Sequence, residues 1–433
     1  FQLLLQSGVE QYYLVQDTRG GQPVTPCLYF GELLDDDYDR FSDLNAVTHS
    51  RTLGTDRTGF EKEPVDVDPE TIETISQSSL NSYVNSPRDY FFSRLVDSPN
   101  QDHFTEGTLF HDFAEFYVNH PERIDQAAIE EVVAEMLAEA TPLFPETDEP
   151  LRRRKYRIGL ETIVEYLDAN MPESEDFLTP ASGWGDNHFA EFFDMPVDSP
   201  LTERWFENTD IGAKGKIDFV QSPSQLVDFK SGRKKSQRQV VKHTAIDPPS
   251  DTPNFQAALY LCHFRTLEPD EPLEFTFFHY LETLDDVVTG DANLDDTLTT
   301  VEYYPWSFDE HVSSREAYDA LLDGYNDCVA TFESLGYEAY SNIMDRLSFP
   351  DTTERSELRA STFADEFTAA VAAQTSSDVD AEKGSDQAIR LLNGIRKRTF
   401  FEEDLDAVEA FVADHIEELN HYRRGEGRFP AQG

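Results

Sequence analysis

Two carboxylates and an ammonium group stand close together in the middle of this chain. Asp218 lies in Gly215-Lys216-Ile217-Asp218-Phe219-Val220, and Asp228 and Lys230 lie in Gln225-Leu226-Val227-Asp228-Phe229-Lys230-Ser231-Gly232. Both segments read as short apolar strands bounded by Gly, Pro and Ser. Side chains alternate along a strand, so Asp228 and Lys230 point one way while Val227 and Phe229 point the other. An unpaired charge inside apolar strands is costly. A divalent cation is the simplest compensator, and oxygen-rich ligation by Asp218 and Asp228 suits Mg²⁺ or Mn²⁺. The bland alternatives are a capping role for Asp218 and an ordinary edge-strand ion pair for Asp228 and Lys230.

The lysines sharpen this reading. Of ten in the chain, six fall between residues 212 and 243: Lys214, Lys216, Lys230, Lys234, Lys235 and Lys242. With Arg233 and Arg238, that window holds eight basic residues against two acidic ones in a chain of formal charge -50. A basic island around a carboxylate pair predicts a polyanionic substrate at a metal site, with Lys214, Lys216, Arg233, Lys234 and Lys235 as its contacts.

The elements that must position these groups are legible in outline. A helix begins after Ser76, with Ser78 and Ser79 as N-caps and Leu80, Tyr83 and Val84 at helical spacing. A second helix, starting near Gly107, puts His111 and Glu115 on one face. A lone helical His is more often a packed or surface residue than a ligand. Residues 121–172 read as helical, broken by Pro142, Pro145 and Pro150. Strands are expected at about 188–197, 215–220 and 225–230. A helix opening at Pro253 carries Gln256 and Tyr260 on one face, and Leu273–Leu281 reads as another strand. Beyond 300 the chain reads as mostly helical, with a polar break at 375–386 and a final amphipathic helix near 403–423.

Composition sets the limits. The 433 residues suffice for two or three domains, and 39% hydrophobic content with 32 Phe and 18 Tyr supports real cores. A pI near 4.3 and 85 acidic residues look like adaptation to molar salt, as in a halophile. No apolar run approaches a membrane span, and the N-terminus lacks the features of a signal peptide. The chain opens on Phe1 rather than Met, which predicts a start inside a longer polypeptide. Cys27, Cys262 and Cys328 are too few and too scattered for a disulfide framework and fit a reducing cytoplasm.

In order, these pieces are Gly-x3-His on a helix, Gly-x2-Asp on a strand, Asp-x-Lys on the next strand and Gln-x3-Tyr on a helix. The set resembles the PD-(D/E)xK nuclease superfamily, and within it the RecB/AddB-type nucleases, over residues 76–281. Ser78-Ser79-Leu80-Asn81-Ser82-Tyr83 with Ser86-Pro87-Arg88 is similar to the family's first helix. Gly107-Thr108-Leu109-Phe110-His111 is similar to its histidine motif, and Phe255-Gln256-Ala257-Ala258-Leu259-Tyr260 to its closing helix. The resemblance implies a restriction-endonuclease-like mixed α/β sheet flanked by helices. It places a helical insertion at about 121–180 within a nuclease core at 71–300, and a helical region at 301–433. Residues 1–70 would be the end of a helicase-like domain plus an acidic linker. It implies His111, Asp218 and Asp228 as metal ligands, Lys230 beside the attacking water, and Gln256 and Tyr260 as positioning groups. Glu115 and Glu191 would be supporting or additional ligands. The implied function is metal-dependent DNA hydrolysis, exonucleolytic, beside an ATP-dependent helicase in double-strand-break repair. A catalytically silent DNA-binding scaffold and a CRISPR-adaptation nuclease are the alternatives. Iron–sulfur members carry Cys where this chain has Ser86, so no such cluster is expected. Nor is there a Gly-x4-Gly-Lys-Ser/Thr loop for an ATP motor.

Overall fold

The computed structural model describes residues 18–19, 22–23, 71–93, 102–140, 149–178, 186–282, 284, 293–350 and 352–426. The chain divides into two compact units, residues 1–68 and 69–433. In the first, Thr18–Arg19 pairs antiparallel with Gln22–Pro23. Of residues 1–70, read as a helicase-like end and an acidic linker, all but 18–19 and 22–23 lie outside the described residues.

The second unit is built on a seven-stranded mixed sheet, as expected for this fold class. Its strands are β1 (Ile75–Ser76), β2 (Thr202–Asn208), β3 (Ala213–Ser222), β4 (Gln225–Phe229), β5 (Leu273–Phe278), β6 (Leu298–Tyr304) and β7 (Thr399–Phe401). The order is β1-β3-β4-β5-β6-β7, with β2 antiparallel to β3. Ala213 pairs with both Asn208 and Ile75, and Phe219 with both Thr202 and Val227. A strand residue has one neighbour on each side. So β2 fills one edge of β3, while β1 and β4 share the other, β1 at its start and β4 at its end. Residues 215–218 lie in the fork between them.

Two cores cover the faces of the sheet. One packs α1 (Gln77–Asn85), α8 (Gln256–Arg265) and α16 (Glu402–Arg423) against Ile217, Val220, Leu226 and Phe275. The other packs α3 (Asp102–Asn119), α4 (Gln126–Ala140), α5 (Glu149–Asn170) and α6 (His188–Phe193) against Phe219, Val227, Phe229 and Phe278. Leu226 and Val227 go to opposite cores, which is the alternation of a strand buried on both faces. A third core joins six helices between 308 and 372 with α15 (Ala381–Arg396) and Phe401.

Several boundaries differ from the sequence reading. Ser76, not Ser78 or Ser79, caps α1, accepting from Ser79 N at 3.3 Å. The histidine helix starts at Asp102 rather than near Gly107, and α8 starts at Gln256 rather than Pro253. The strand expected at 188–197 is instead the helix α6. Asn187 caps it by accepting from Phe189 N and Ala190 N, and Asp194 ends it in the left-handed region at φ 52°. Its Phe-rich sequence mimics a strand, but Asn and Asp at the two ends supply the helix signals. The strands β2, β6 and β7 were not expected.

Candidate metal-dependent active site

The fork in the sheet is where the predicted chemistry gathers. Asp218 on β3 and Asp228 on β4 are both buried, at 7% and 2% exposure. The Phe229 amide donates to Asp218 Oδ2 at 2.8 Å, which ties the carboxylate of one strand to the backbone of the next. His111, on α3, brings its Nδ1 to 3.4 Å from Asp218 Oδ2. Its ring meets Phe229 edge-on at 5.9 Å.

Asp228 is held on two sides. Gln256, buried at the start of α8, donates through Nε2 to Asp228 Oδ1. Lys230 places its ammonium 2.6 Å from Asp228 Oδ2, yet that oxygen accepts no directed hydrogen bond. Burial raises the Asp228 pKa; Lys230 pulls it back and Asp218 adds to the rise. Burial also works against the charged form of Lys230, but Asp228 and Asp218 outweigh it and its pKa ends above the ordinary value. Lys230 is therefore a cation at neutral pH. The backbone of Lys230 is fixed by donation to Phe278 O at 2.8 Å.

Tyr260, one turn along α8 from Gln256, donates to Lys216 O at 2.9 Å. That carbonyl lies in the forked stretch of β3. Burial first, then the charges of Asp228 and Asp218, raises the Tyr260 pKa, so the phenol keeps its proton. The close approach explains Gly215: a Cβ there would lie 2.8 Å from Tyr260 Cε1 and 2.9 Å from Phe206 Cε1.

Sequence reasoning missed Glu203. The register of β2 and β3 pairs Thr202 with Phe219 and Arg204 with Ile217, which sets Glu203 across from Asp218. Its carboxylate, the His111 imidazole and the Asp218 carboxylate offer ligand atoms within 4.8 Å of one another. Glu203 has φ 49°, rare for a residue with a side chain. It also forms an ion pair with Lys216. The signal in the sequence was an acid one hairpin before the Gly-x2-Asp strand, and it was legible only once β2 was known. A cavity of about 370 Å³, lined by Gly107, Thr108, His111, Glu203, Lys216 and Ser231, opens onto this cluster.

The remaining expected residues are placed less directly. Glu115 accepts from Asn187 Nδ2 at 2.7 Å and so joins α3 to the cap of α6. Glu191 is exposed on α6, and none of its described contacts reaches the carboxylate pair. Lys214 lies 3.9 Å from Glu207. Lys234 donates to Asp296 O at 2.6 Å, Arg233 is exposed, and burial and nearby Lys230 lower the Lys235 pKa.

The donor set fits a hard divalent cation. Asp218, Glu203 and His111 offer ligand atoms within 4.8 Å of one another, while Asp228 stands outside that group with its Oδ2 2.6 Å from the Lys230 ammonium. Oxygen-rich donors with one imidazole suit Mg²⁺ or Mn²⁺.

Residues 74–285 match the model of the PD-(D/E)XK nuclease superfamily. The matched stretch runs from β1 past β5 and contains every residue placed at the fork. The match supports assigning this region to that superfamily, whose members are typically phosphodiester hydrolases that use divalent metals. No curated protein and no solved structure matches the chain. Among the described residues, no helix is long and apolar enough to cross a membrane.

Proposed function

We propose that the protein is a metal-dependent deoxyribonuclease, an exonuclease that trims DNA ends as the nuclease part of a RecB/AddB-like helicase–nuclease in double-strand-break repair. On this reading it works in a salt-rich cytoplasm with Mg²⁺ or Mn²⁺ and no iron–sulfur cluster. Residues 1–70 are then the end of the helicase-like part and its linker, and the nuclease core follows, its sheet completed by β6, β7 and the helix α16 from beyond residue 297. The observation that carries the reading is the buried Asp218–Asp228 pair, with one Asp228 oxygen lacking a directed donor and Lys230 against it.

In this reading Asp218, Asp228 and His111 hold the cation, with Glu203 as a further oxygen donor. A bound divalent cation would supply a lowered pKa for the attacking water and would offset charge building on the phosphate. Lys230, kept positive by the two carboxylates, orients that water and stabilises the transition state. It does so as a cation rather than as a base. Gln256 fixes the Asp228 carboxylate, and Tyr260 fixes the backbone of β3 beneath the site. Glu115 steadies the histidine helix through Asn187. Lys214, Lys216, Arg233, Lys234 and Lys235 meet the DNA backbone around the mouth of the site.

The test is DNA cleavage in high salt with Mg²⁺ or Mn²⁺, against EDTA and against Asp228→Ala. Cleavage only with the metal, and none in the variant, is expected. Undiminished cutting in EDTA would refute the reading. Strand binding without cleavage under any metal would favour the silent scaffold instead.

A further inference from the structure

The chain carries 85 acidic residues against 35 Lys and Arg. One cavity of about 350 Å³, outside the fork, nonetheless has four cations in its lining against two carboxylates. It is bounded by α7 (Gln237–His243), the end of α15, β7 and the first turns of α16. Arg238 and Lys242, one turn apart, come from α7, and Arg396 and Lys397 come from the end of α15. Only Glu354 and Asp404 oppose them in the lining. Asp404 is already engaged, by Arg396 at 2.5 Å and by the Phe401 amide at 2.9 Å. Among the described residues, no ion pair or side-chain hydrogen bond is made by Arg238, Lys242 or Lys397. Burial and the nearby Arg238 charge lower the Lys397 pKa, and Glu354 offsets this only in part. Like charges crowded in a concave site mark a place built for an anion.

The cavity is tied to the active site by the chain itself. Lys230 leads through Arg233, Lys234 and Lys235 straight into α7. This segment is anchored on β6: Gln237 Nε2 donates to Thr300 O at 2.6 Å, and Thr299 Oγ1 donates to Lys235 O at 2.7 Å. The eight residues from Lys230 to Arg238 span at most roughly 28 Å. About eight nucleotides at duplex spacing would cover that distance.

We propose that this cavity is a second phosphate site, in which Arg238, Lys242 and Lys397 hold the backbone of a single nucleic-acid strand whose scissile bond lies at Asp218 and Asp228. It rests on the nuclease reading for the identity of the ligand. A free nucleotide carries the same phosphate chemistry, so the test separates the two sources.

The experiment uses the full chain and the double variant Arg238→Gln/Lys397→Gln. Binding of a single strand of about 20 nucleotides is measured across a salt series, with Ca²⁺ replacing Mg²⁺. Losing two phosphate contacts should reduce the log–log salt slope by about 1.4, with weaker binding throughout. A trinucleotide, which makes fewer phosphate contacts, should show a smaller change of slope between variant and parent than the longer strand. Arg238→Lys/Lys397→Arg should restore the slope, which shows that charge rather than local folding is read out. An unchanged slope for the long strand would overturn the proposal. So would loss of nucleoside-monophosphate binding while strand binding stays intact. Hydrolysis of bis(4-nitrophenyl) phosphate by the unsubstituted protein tests the nuclease reading separately: its absence would count against that reading, while the strand-binding slope would still judge the cavity.

Discussion

Replacing Lys230 by Gln tests both the architecture and the chemistry of the fork. In the parent, the ammonium lies 2.6 Å from an Asp228 oxygen that has no directed donor. Removing one member of a buried ion pair typically costs about 3–5 kcal/mol. Here Asp228 is buried but the Lys230 side chain is 35% exposed, so water screens part of the interaction. Gln256 also keeps its hold on the other Asp228 oxygen. A loss of about 2–3 kcal/mol is therefore expected for the metal-free protein at neutral pH. The cost should fade at acid pH, because a protonated Asp228 no longer needs a cation. Catalysis should suffer separately, by about 10²–10³ in the chemical step, as for the loss of one well-aimed electrostatic contact. Urea unfolding without metal reads the first effect, and single-turnover cleavage at saturating Mg²⁺ reads the second. A variant that unfolds at the parental urea midpoint and cuts at the parental rate would show that neither inference holds.

Two further substitutions probe the frame. Gly215→Ala forces a methyl group into the rings of Tyr260 and Phe206, and overpacking of this kind costs about 1–3 kcal/mol; thermal denaturation should show the loss, and an unchanged midpoint would mean the α8–β3 contact gives way freely. His263 stacks on Phe206 at 4.2 Å, and burial, with help from Arg204, lowers its pKa from the ordinary 6.5 to about 4. The unfolded chain takes up the proton first, so stability is full above about pH 6.5 and falls as pH drops toward 4, by on the order of 3 kcal/mol in all. His263→Phe should flatten that stretch of the stability–pH curve, and a curve of unchanged slope would refute the assignment.

The chemistry was more legible in the sequence than the frame around it. Asp218, Asp228 and Lys230 stood out because charges inside short apolar strands need an explanation. Gln256 and Tyr260 became readable only through the order of the motifs and the resemblance, because helical spacing alone is a weak signal. Glu203 did not, because its place depends on the pairing of β2 with β3 and on a backbone turn at φ 49° that nothing local announces. The helix at His188–Phe193 read as a strand because its aromatic side chains outweighed its caps. The strands β6 and β7 were hidden in a stretch dominated by helices, and β7 has three residues, too short for any period to show.

The helix α16 has a consequence for how the fold comes into being. It lies against α8, where Arg265 reaches Asp406 at 2.7 Å and Glu409 at 2.6 Å. Near its far end Asn420 clasps Ile72, accepting from its amide and donating to its carbonyl, both at 2.8 Å. The helix that carries Gln256 and Tyr260 is thus braced by residues synthesised about 150 positions later, and the start of β1 by residues later still. A ribosome-bound chain that has just released the Asp-x-Lys strand holds the reactive groups but not their brace. Any cutting power should therefore mature only after α16 has been made and has docked. A gene fragment ending soon after residue 285 would encode the motifs without a settled active site.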